Sequence, residues 1–145
     1  MSVTAERSWC VVVPQHPRGA RLARHRLADE LRRAVRPALL ADVVAVAAEL
    51  IGNAVRHGSP LPGGVVRVAW RLGPAGDTVE IRVTDGGGAG APHVRQVGPE
   101  SPDGRGMSIV NGLADRWGVD SDGLGQSVWA RVSAPSHQPL VGAGR

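Results

Sequence analysis

The sequence contains no lysine, so all 17 of its basic residues are arginine. This absence excludes P-loop nucleotide binding, the strand lysine of protein kinases and Schiff-base chemistry, because each of them needs a lysine amine. Any phosphate chemistry must therefore use backbone amides, arginine or a metal ion. The arginine bias also inflates the isoelectric point to about 11.1, whereas the formal net charge is only +4. The high isoelectric point is therefore weak evidence for nucleic-acid binding.

Cysteine and the smaller aromatic residues are also scarce. Phenylalanine and tyrosine are absent, and the single cysteine, Cys10, excludes a disulfide framework or a cysteine-rich zinc site. Residues 1–5 lack the basic-then-apolar pattern of a signal peptide. The longest apolar stretch, residues 37–55, is interrupted by three polar residues. We therefore expect a cytoplasmic domain with no membrane span.

The length of 145 residues suits one domain with one hydrophobic core. We expect an N-terminal tail over 1–8, a folded domain over 9–133 and a disordered tail over 134–145. Residues 86–103 are rich in glycine and proline and show no hydrophobic period. Loops of this length inside a compact domain are usually lids or binding loops, so this segment is the predicted lid.

Hydrophobic periodicity predicts five strands and three helices. The strands are expected at Trp9–Val13, Val65–Arg71, Thr78–Asp85, Trp117–Ser121 and Gln126–Val132, and the helices at Pro17–Arg36, Ala38–His57 and Met107–Ala114. The second and third strands form a predicted hairpin. The first helix also carries many arginines off its apolar stripe, a pattern that fits either a solvated basic face or an acidic partner.

The second predicted helix has one narrow polar stripe on an otherwise apolar surface. Asp42, Glu49, Asn53 and Arg56 follow at intervals of 7, 4 and 3 residues, which places them on one line at 3.6 residues per turn. Gly52 lies beside the stripe and costs about 1 kcal/mol of helix stability, which suggests close approach by another group. Two interpretations stay open: a polar ligand facing the stripe, or a solvent-exposed stripe with a Glu–Arg pair.

The third predicted strand aims a carboxylate at the core. Val79, Ile81 and Val83 alternate with polar residues, and Asp85 continues this inward-facing series. An unpartnered buried carboxylate is costly, so Asp85 must pair with arginine or accept a hydrogen bond from a ligand. Glycines follow it directly and recur as Gly-Arg-Gly at 104–106, where a helix begins and offers unpaired amides to phosphate. Isoleucine at position 109 leaves the GxGxxG dinucleotide fingerprint incomplete.

Three segments together resemble the N, G1 and G2 boxes of the GHKL ATPases, a superfamily that includes gyrase, the histidine kinases and MutL. They are ELIGNAVRH at 49–57, DGG at 85–87 and GRGMSIV at 104–110. The glutamate four residues before the asparagine and the later LADRWG are similar to the bacterial anti-sigma-factor serine kinases. The resemblance implies an α/β (α+β) two-layer sandwich of the Bergerat type, with a mixed, mainly antiparallel sheet and helices on one face.

The resemblance also implies roles for matching residues. Asn53 would supply its carbonyl oxygen to Mg²⁺, a hard cation, and Glu49 would be the general base. Asp85 would accept a hydrogen bond from the adenine amino group, and Gly87 would permit the close approach. Four residues would present backbone amides to the phosphates of ATP: Gly104, Arg105, Gly106 and Met107.

For two further candidates the sequence allows either a role in ligand binding or a purely structural role. Arg56 either reaches a phosphate or forms a surface ion pair. Ser127 stands where the family often has a threonine, and it either lies near adenine or is a plain strand residue.

The resemblance favours regulation through protein partners. The first hypothesis is an ATP·Mg²⁺-binding serine/threonine kinase that acts as an anti-sigma factor by phosphorylating a serine-bearing antagonist protein and sequestering a sigma factor. The second is a non-catalytic ATP-binding adaptor whose nucleotide state gates a protein partner. A third, a basic nucleic-acid binder, requires a steep salt dependence and indifference to ATP. We expect neither direct nucleic-acid binding nor a membrane partner, and a homodimer is compatible with the resemblance.

Overall fold

The computed structural model describes residues 7–87, 104–121, 123 and 125–135. The predicted lid from residue 88 onward, residues 1–6 and the tail from residue 136 lie outside these residues. Within them the chain forms β1 (Arg7–Pro14), α1 (Pro17–Arg32), α2 (Pro37–His57), β2 (Val65–Leu72), β3 (Thr78–Asp85), α3 (Gly104–Leu113), β4 (Arg116–Ser121) and β5 (Gln126–Ser133). All the predicted elements are confirmed, with bounds that shift by a few residues.

The strands form a five-stranded sheet in the order β1-β2-β3-β5-β4. Every neighbouring pair within the described residues is antiparallel, where the sequence analysis expected a mixed, mainly antiparallel sheet. Burial alternates strictly along β2 and β3, so one face of the sheet is covered and the other meets solvent. The helices cover the buried face, which confirms the predicted two-layer α+β architecture.

The first helix ends at Arg32, four residues earlier than predicted. His16 is its N-cap, and the imidazole Nδ1 accepts the amide of Arg18 at 3.0 Å. The early end follows from Pro37, which opens α2, because a proline disfavours the helical conformation of the residue before it. Arg36 is accordingly extended, with φ −70° and ψ 154°.

The second helix is the centre of the core. Seven of its side chains are buried between α1, α3 and the sheet: Leu39, Val43, Val46, Ala47, Leu50, Ile51 and Ala54. By length and composition alone it could also cross a membrane, with a mean hydropathy of 1.8. Central core helices meet the same criterion, and the packing of α2 against both layers is the arrangement of such a helix.

Leu27 and Leu22 provide a matched test of which face of α1 is buried. Leu27 is fully buried and Leu22 is 59 % exposed. We expect Leu27→Ala to lower the free energy of unfolding by about 2–5 kcal/mol, because it removes buried methyl groups and leaves a cavity. Leu22→Ala, the same substitution on the same helix, should change it by less than about 0.5 kcal/mol. Urea unfolding measures both, and equal losses would contradict this packing.

Candidate functional site

The polar stripe of α2 lies on one face as the spacing predicts, and its internal contact is not the Glu–Arg pair that one of the two interpretations contained. Arg56 Nη2 donates a hydrogen bond of 3.0 Å to Asn53 Oδ1. Glu49, half-buried one turn earlier, makes no hydrogen bond or ion pair within the described part of the chain. The stripe therefore presents an unpartnered carboxylate beside a carboxamide whose oxygen is held by a guanidinium. Asp42 lies on the same line, about two helical turns beyond Glu49 on the side away from Asn53.

The start of α3 docks against this stripe. Met107, in the first turn of α3, is only 3 % exposed, and its sulfur accepts a hydrogen bond of 3.4 Å from Asn53 Nδ2. Because α3 begins at Gly104, residues 104–107 form its first turn, and the first four amides of a helix lack partners within it. The contact between Asn53 and Met107 thus places this helix N-terminus, a kind of helix end that can bind anions, next to the carboxamide.

The aimed carboxylate of Asp85 lies at the other end of α2. Asp85 is 9 % exposed, and its Oδ1 accepts the amide of Gly87 at 2.7 Å. Gly87 has φ +80°, a left-handed conformation that suits glycine and turns its amide back toward the carboxylate. A carboxylate has about four acceptor positions, so Asp85 can accept a bond from a ligand in addition to that from the Gly87 amide.

Gly58 is needed at the end of α2 for space. A glycine that ends a helix commonly adopts the left-handed conformation. Gly58 is the C-cap but is extended, with φ −84° and ψ 167°. A Cβ at this position would overlap Asp85 Oδ2, so the missing side chain lets the carboxylate lie against the helix end. Gly86, after Asp85, bonds back to the Ser59 carbonyl at 2.7 Å.

Sequence reasoning missed Gln15, which caps this end of α2. Its Nε2 donates to the carbonyl of Ala54 at 3.0 Å and to that of Gly58 at 2.5 Å. The Ala54 carbonyl also accepts the Gly58 amide at 3.1 Å, so Gln15 shares that acceptor and in addition satisfies the carbonyl of the C-cap residue. A glutamine between strand and helix gives no signal that could have revealed a contact 43 residues away.

Ser127 is not brought to the other candidates. It pairs with Thr84 in the sheet, and the two hydroxyl oxygens are 2.7 Å apart on the face opposite to Asp85. Gln126 pairs with Asp85 and shares its face, because directly opposed residues project to the same side. The alternation that placed Asp85 would also have selected Gln126, since Val128, Ala130 and Val132 continue its series. Gln126 is therefore the strand residue that accompanies Asp85.

The candidates follow one another along α2. A helix rises about 1.5 Å per residue along its axis. Asn53 therefore lies about 7.5 Å along the axis from Gly58, where the Asp85 carboxylate contacts the helix, and Glu49 lies about 6 Å beyond Asn53. A ligand on this face would meet an acceptor carboxylate first, then a helix N-terminus and a carboxamide oxygen, and then a second carboxylate. These protein groups follow one another in the order that would suit a nucleobase, its phosphate chain and the group that accepts a phosphate.

The donor atoms at the centre of this row fit a hard divalent cation shared with phosphate. The Asn53 carbonyl and the Glu49 carboxylate are oxygen ligands of the kind that Mg²⁺ takes. Among the described residues no three His, Cys, Asp or Glu side chains come together as ligands. A cation at Asn53 would therefore complete its coordination with phosphate oxygens and water, as Mg²⁺ commonly does at nucleotides.

The fold and this row of residues define a GHKL-type domain. The model of the histidine kinase-like ATPase domain family matches residues 13–132, and the chain belongs to that family. The match contains every candidate discussed above, from Gln15 on the β1–α1 connection to Ser127 on β5.

A solved structure shares this fold. The crystal structure of the RsbU and RsbW domains of Rv1364c from Mycobacterium tuberculosis is similar at 18 % identity, with a TM-score of 0.61. The match covers 88 % of this chain and 33 % of that chain, so this chain spans about a third of that structure's length. No curated protein gives a significant match.

The close approach of Gly58 to Asp85 can be tested by adding one methyl group. Gly58→Ala should lower the free energy of unfolding by about 1–3 kcal/mol, because the Cβ overlaps the carboxylate and forces it to move. Gly73→Ala is the control, since a Cβ there meets only ordinary contacts at 3.6 and 3.7 Å. Chemical unfolding compares the two variants. A Gly58→Ala protein as stable as the control would contradict the described position of the Asp85 carboxylate.

Proposed function

We propose that this protein binds ATP with Mg²⁺ and acts as a serine/threonine protein kinase of the anti-sigma-factor type. The observation that carries the proposal is the Asn53–Met107 contact, because it joins the polar stripe of α2 to the N-terminus of α3. Family membership supports ATP binding. The finer assignments rest on the chemistry of the individual residues.

Asp85 would recognise the adenine base. Its carboxylate is held by the Gly87 amide and by the end of α2, so its remaining acceptor positions have a set direction. An acceptor matches the amino group of adenine, whereas guanine presents a carbonyl at the corresponding position. Gln126, on the same face, carries both a donor and an acceptor and would lie beside the base.

The first turn of α3 would hold the phosphates. Its unpaired amides and the positive end of the helix dipole both favour anions, and no lysine is needed for this. Mg²⁺, with Asn53 Oδ1 as a ligand, would neutralise phosphate charge. The donor set described above fits that role.

Glu49 would be the general base that accepts the proton of the attacking hydroxyl. It is half-buried, it lies one turn from Asn53, and no described side chain holds its carboxylate. A free carboxylate within reach of the terminal phosphate can orient and deprotonate a serine hydroxyl. A carboxylate engaged in the Glu–Arg pair that spacing also allowed would be less available for this.

Two observations support protein partners for the domain. The motifs at 49–57, 85–87 and 104–110 resemble those of anti-sigma-factor serine kinases, and a solved structure with the same fold contains an RsbW domain. We therefore infer a cytoplasmic regulator whose partners are a sigma factor and a serine-bearing antagonist protein. Partner switching would follow if phosphorylation of the antagonist released it from this domain.

Glu49→Gln separates transfer from binding. We expect this variant to bind ATP within about twofold of the unmodified protein and to lose at least about 100-fold in the rate of ADP formation from bound ATP, because general-base catalysis contributes 10²–10⁴-fold. Asp42→Asn, on the same face but two turns further from Asn53, is the matched control and should retain the rate.

Unchanged turnover in Glu49→Gln would exclude Glu49 as the base. Saturable ATP binding by an unmodified protein that transfers no phosphate to a serine-bearing antagonist protein would instead favour the adaptor whose nucleotide state gates a partner.

Asp85→Asn tests recognition of the base. The amide oxygen can still accept the Gly87 bond, but an acceptor position becomes a donor, so we expect ATP affinity to fall about 10- to 100-fold. Asp120→Asn, on the exposed face of the sheet, should leave the affinity unchanged. Titration calorimetry with ATP and GTP measures both variants. An Asp85→Asn protein that retains full ATP affinity would contradict this assignment.

A further inference from the structure

Gly52 lies beside the polar stripe of α2, where a single side chain, that of Arg56, lies close to it. The three atoms nearest to a Cβ built on Gly52 all belong to the Arg56 guanidinium: Nη1 at 2.9 Å, Cζ at 3.5 Å and Nη2 at 3.6 Å. Glycine inside a helix is unfavourable, so its presence here needs a reason. The group whose close approach the sequence predicted is thus the guanidinium of the same helix.

The guanidinium is placed on one particular oxygen. Arg56 Nη2 donates to Asn53 Oδ1 at 3.0 Å, while Asn53 Nδ2 donates to Met107 Sδ at 3.4 Å. The two bonds use opposite ends of the carboxamide, so together they set its orientation. Arg56 thus occupies the oxygen that the proposed function gives to Mg²⁺.

A guanidinium and a divalent cation compete for this oxygen. Two positive groups a few ångströms apart repel each other strongly in a half-buried site, and the neutral carboxamide cannot compensate both. Arg56 is exposed, so its side chain can leave for solvent without disturbing the core. Because Gly52 has no side chain, the guanidinium can also return to its position beside the helix.

We propose that the Arg56 guanidinium is a placeholder for the divalent cation, and this inference rests on the proposed function. In the ligand-free protein the placeholder occupies Asn53 Oδ1, and Gly52 provides the room for it. A cation that arrives with nucleotide displaces it, so metal binding at Asn53 is opposed until phosphate oxygens supply the remaining ligands. The Gly52–Asn53–Arg56 group therefore makes cation binding depend on nucleotide.

Gly52→Ala tests the placeholder while keeping the arginine. The measured quantity is the Mg²⁺ coupling ratio, which is the dissociation constant of AMP-PNP in EDTA divided by that in Mg²⁺. The added methyl group would lie 2.9 Å from Nη1, so the guanidinium must shift and its bond to Asn53 Oδ1 weakens. The ratio should therefore rise about three- to tenfold, which is about the effect of losing one exposed hydrogen bond to a charged group. Gly112→Ala, a helical glycine with open space around it, should leave the ratio unchanged.

A double-mutant cycle assigns the effect to Arg56. In an Arg56→Ala background, Gly52→Ala should no longer change the ratio, because no guanidinium remains to be displaced. A rise of equal size in both backgrounds, or no rise in either, overturns the proposal.

A second readout needs no nucleotide. The Asn53 side-chain amide resonance in ¹⁵N NMR spectra should move in the same direction in Gly52→Ala and in Arg56→Ala, since both remove the bond to Oδ1. A resonance that moves only in Arg56→Ala overturns the role given to Gly52. Failure of the proposed function is distinct, because the unmodified protein would then bind no nucleotide before any variant is compared.

Discussion

The whole site depends on one constraint: the central helix, whose apolar side chains pack into the core, must also carry a polar face. α2 packs its apolar residues against α1, α3 and the sheet, and this packing fixes its rotation about its own axis. The rotation determines where Glu49, Asn53 and Arg56 lie. Gly58 then allows the Asp85 carboxylate to rest against the end of the same helix, and Met107 joins α3 to its middle. Core packing and site geometry are therefore the same set of contacts.

Periodicity predicted most of the fold and the main line of the site. The 3.6-residue period placed Glu49, Asn53 and Arg56 on one face, and the two-residue period aimed Asp85 inward. These are local properties that a single chain expresses regardless of what packs against it. They identify which residues share a face, and the structure confirms them.

What periodicity could not predict were contacts between distant segments. The Gln15 cap on α2 and the Asn53–Met107 bond join residues 39 to 54 positions apart, and no local pattern encodes them. The partner of Arg56 was equally undetermined, because Glu49 and Asn53 both lie within one or two turns of it. The choice of Ser127 has a different explanation. The alternation that was applied to β3 selects Gln126 on β5 when it is applied there too, because Gln126 is the residue that pairs with Asp85. The need for glycine at position 58 was equally hidden, because it depends on the Asp85 carboxylate from a distant strand.

Equilibrium titration of the unmodified protein with ATP, with and without Mg²⁺ and with GTP as the comparison, tests the central claim most directly. The arrangement of Asp85, Asn53 and the N-terminus of α3 predicts saturable binding that prefers ATP over GTP and strengthens when Mg²⁺ is present. Absence of binding at millimolar nucleotide, or equal binding of ATP and GTP, would contradict the account. The fold would then serve as a scaffold for protein partners without a nucleotide.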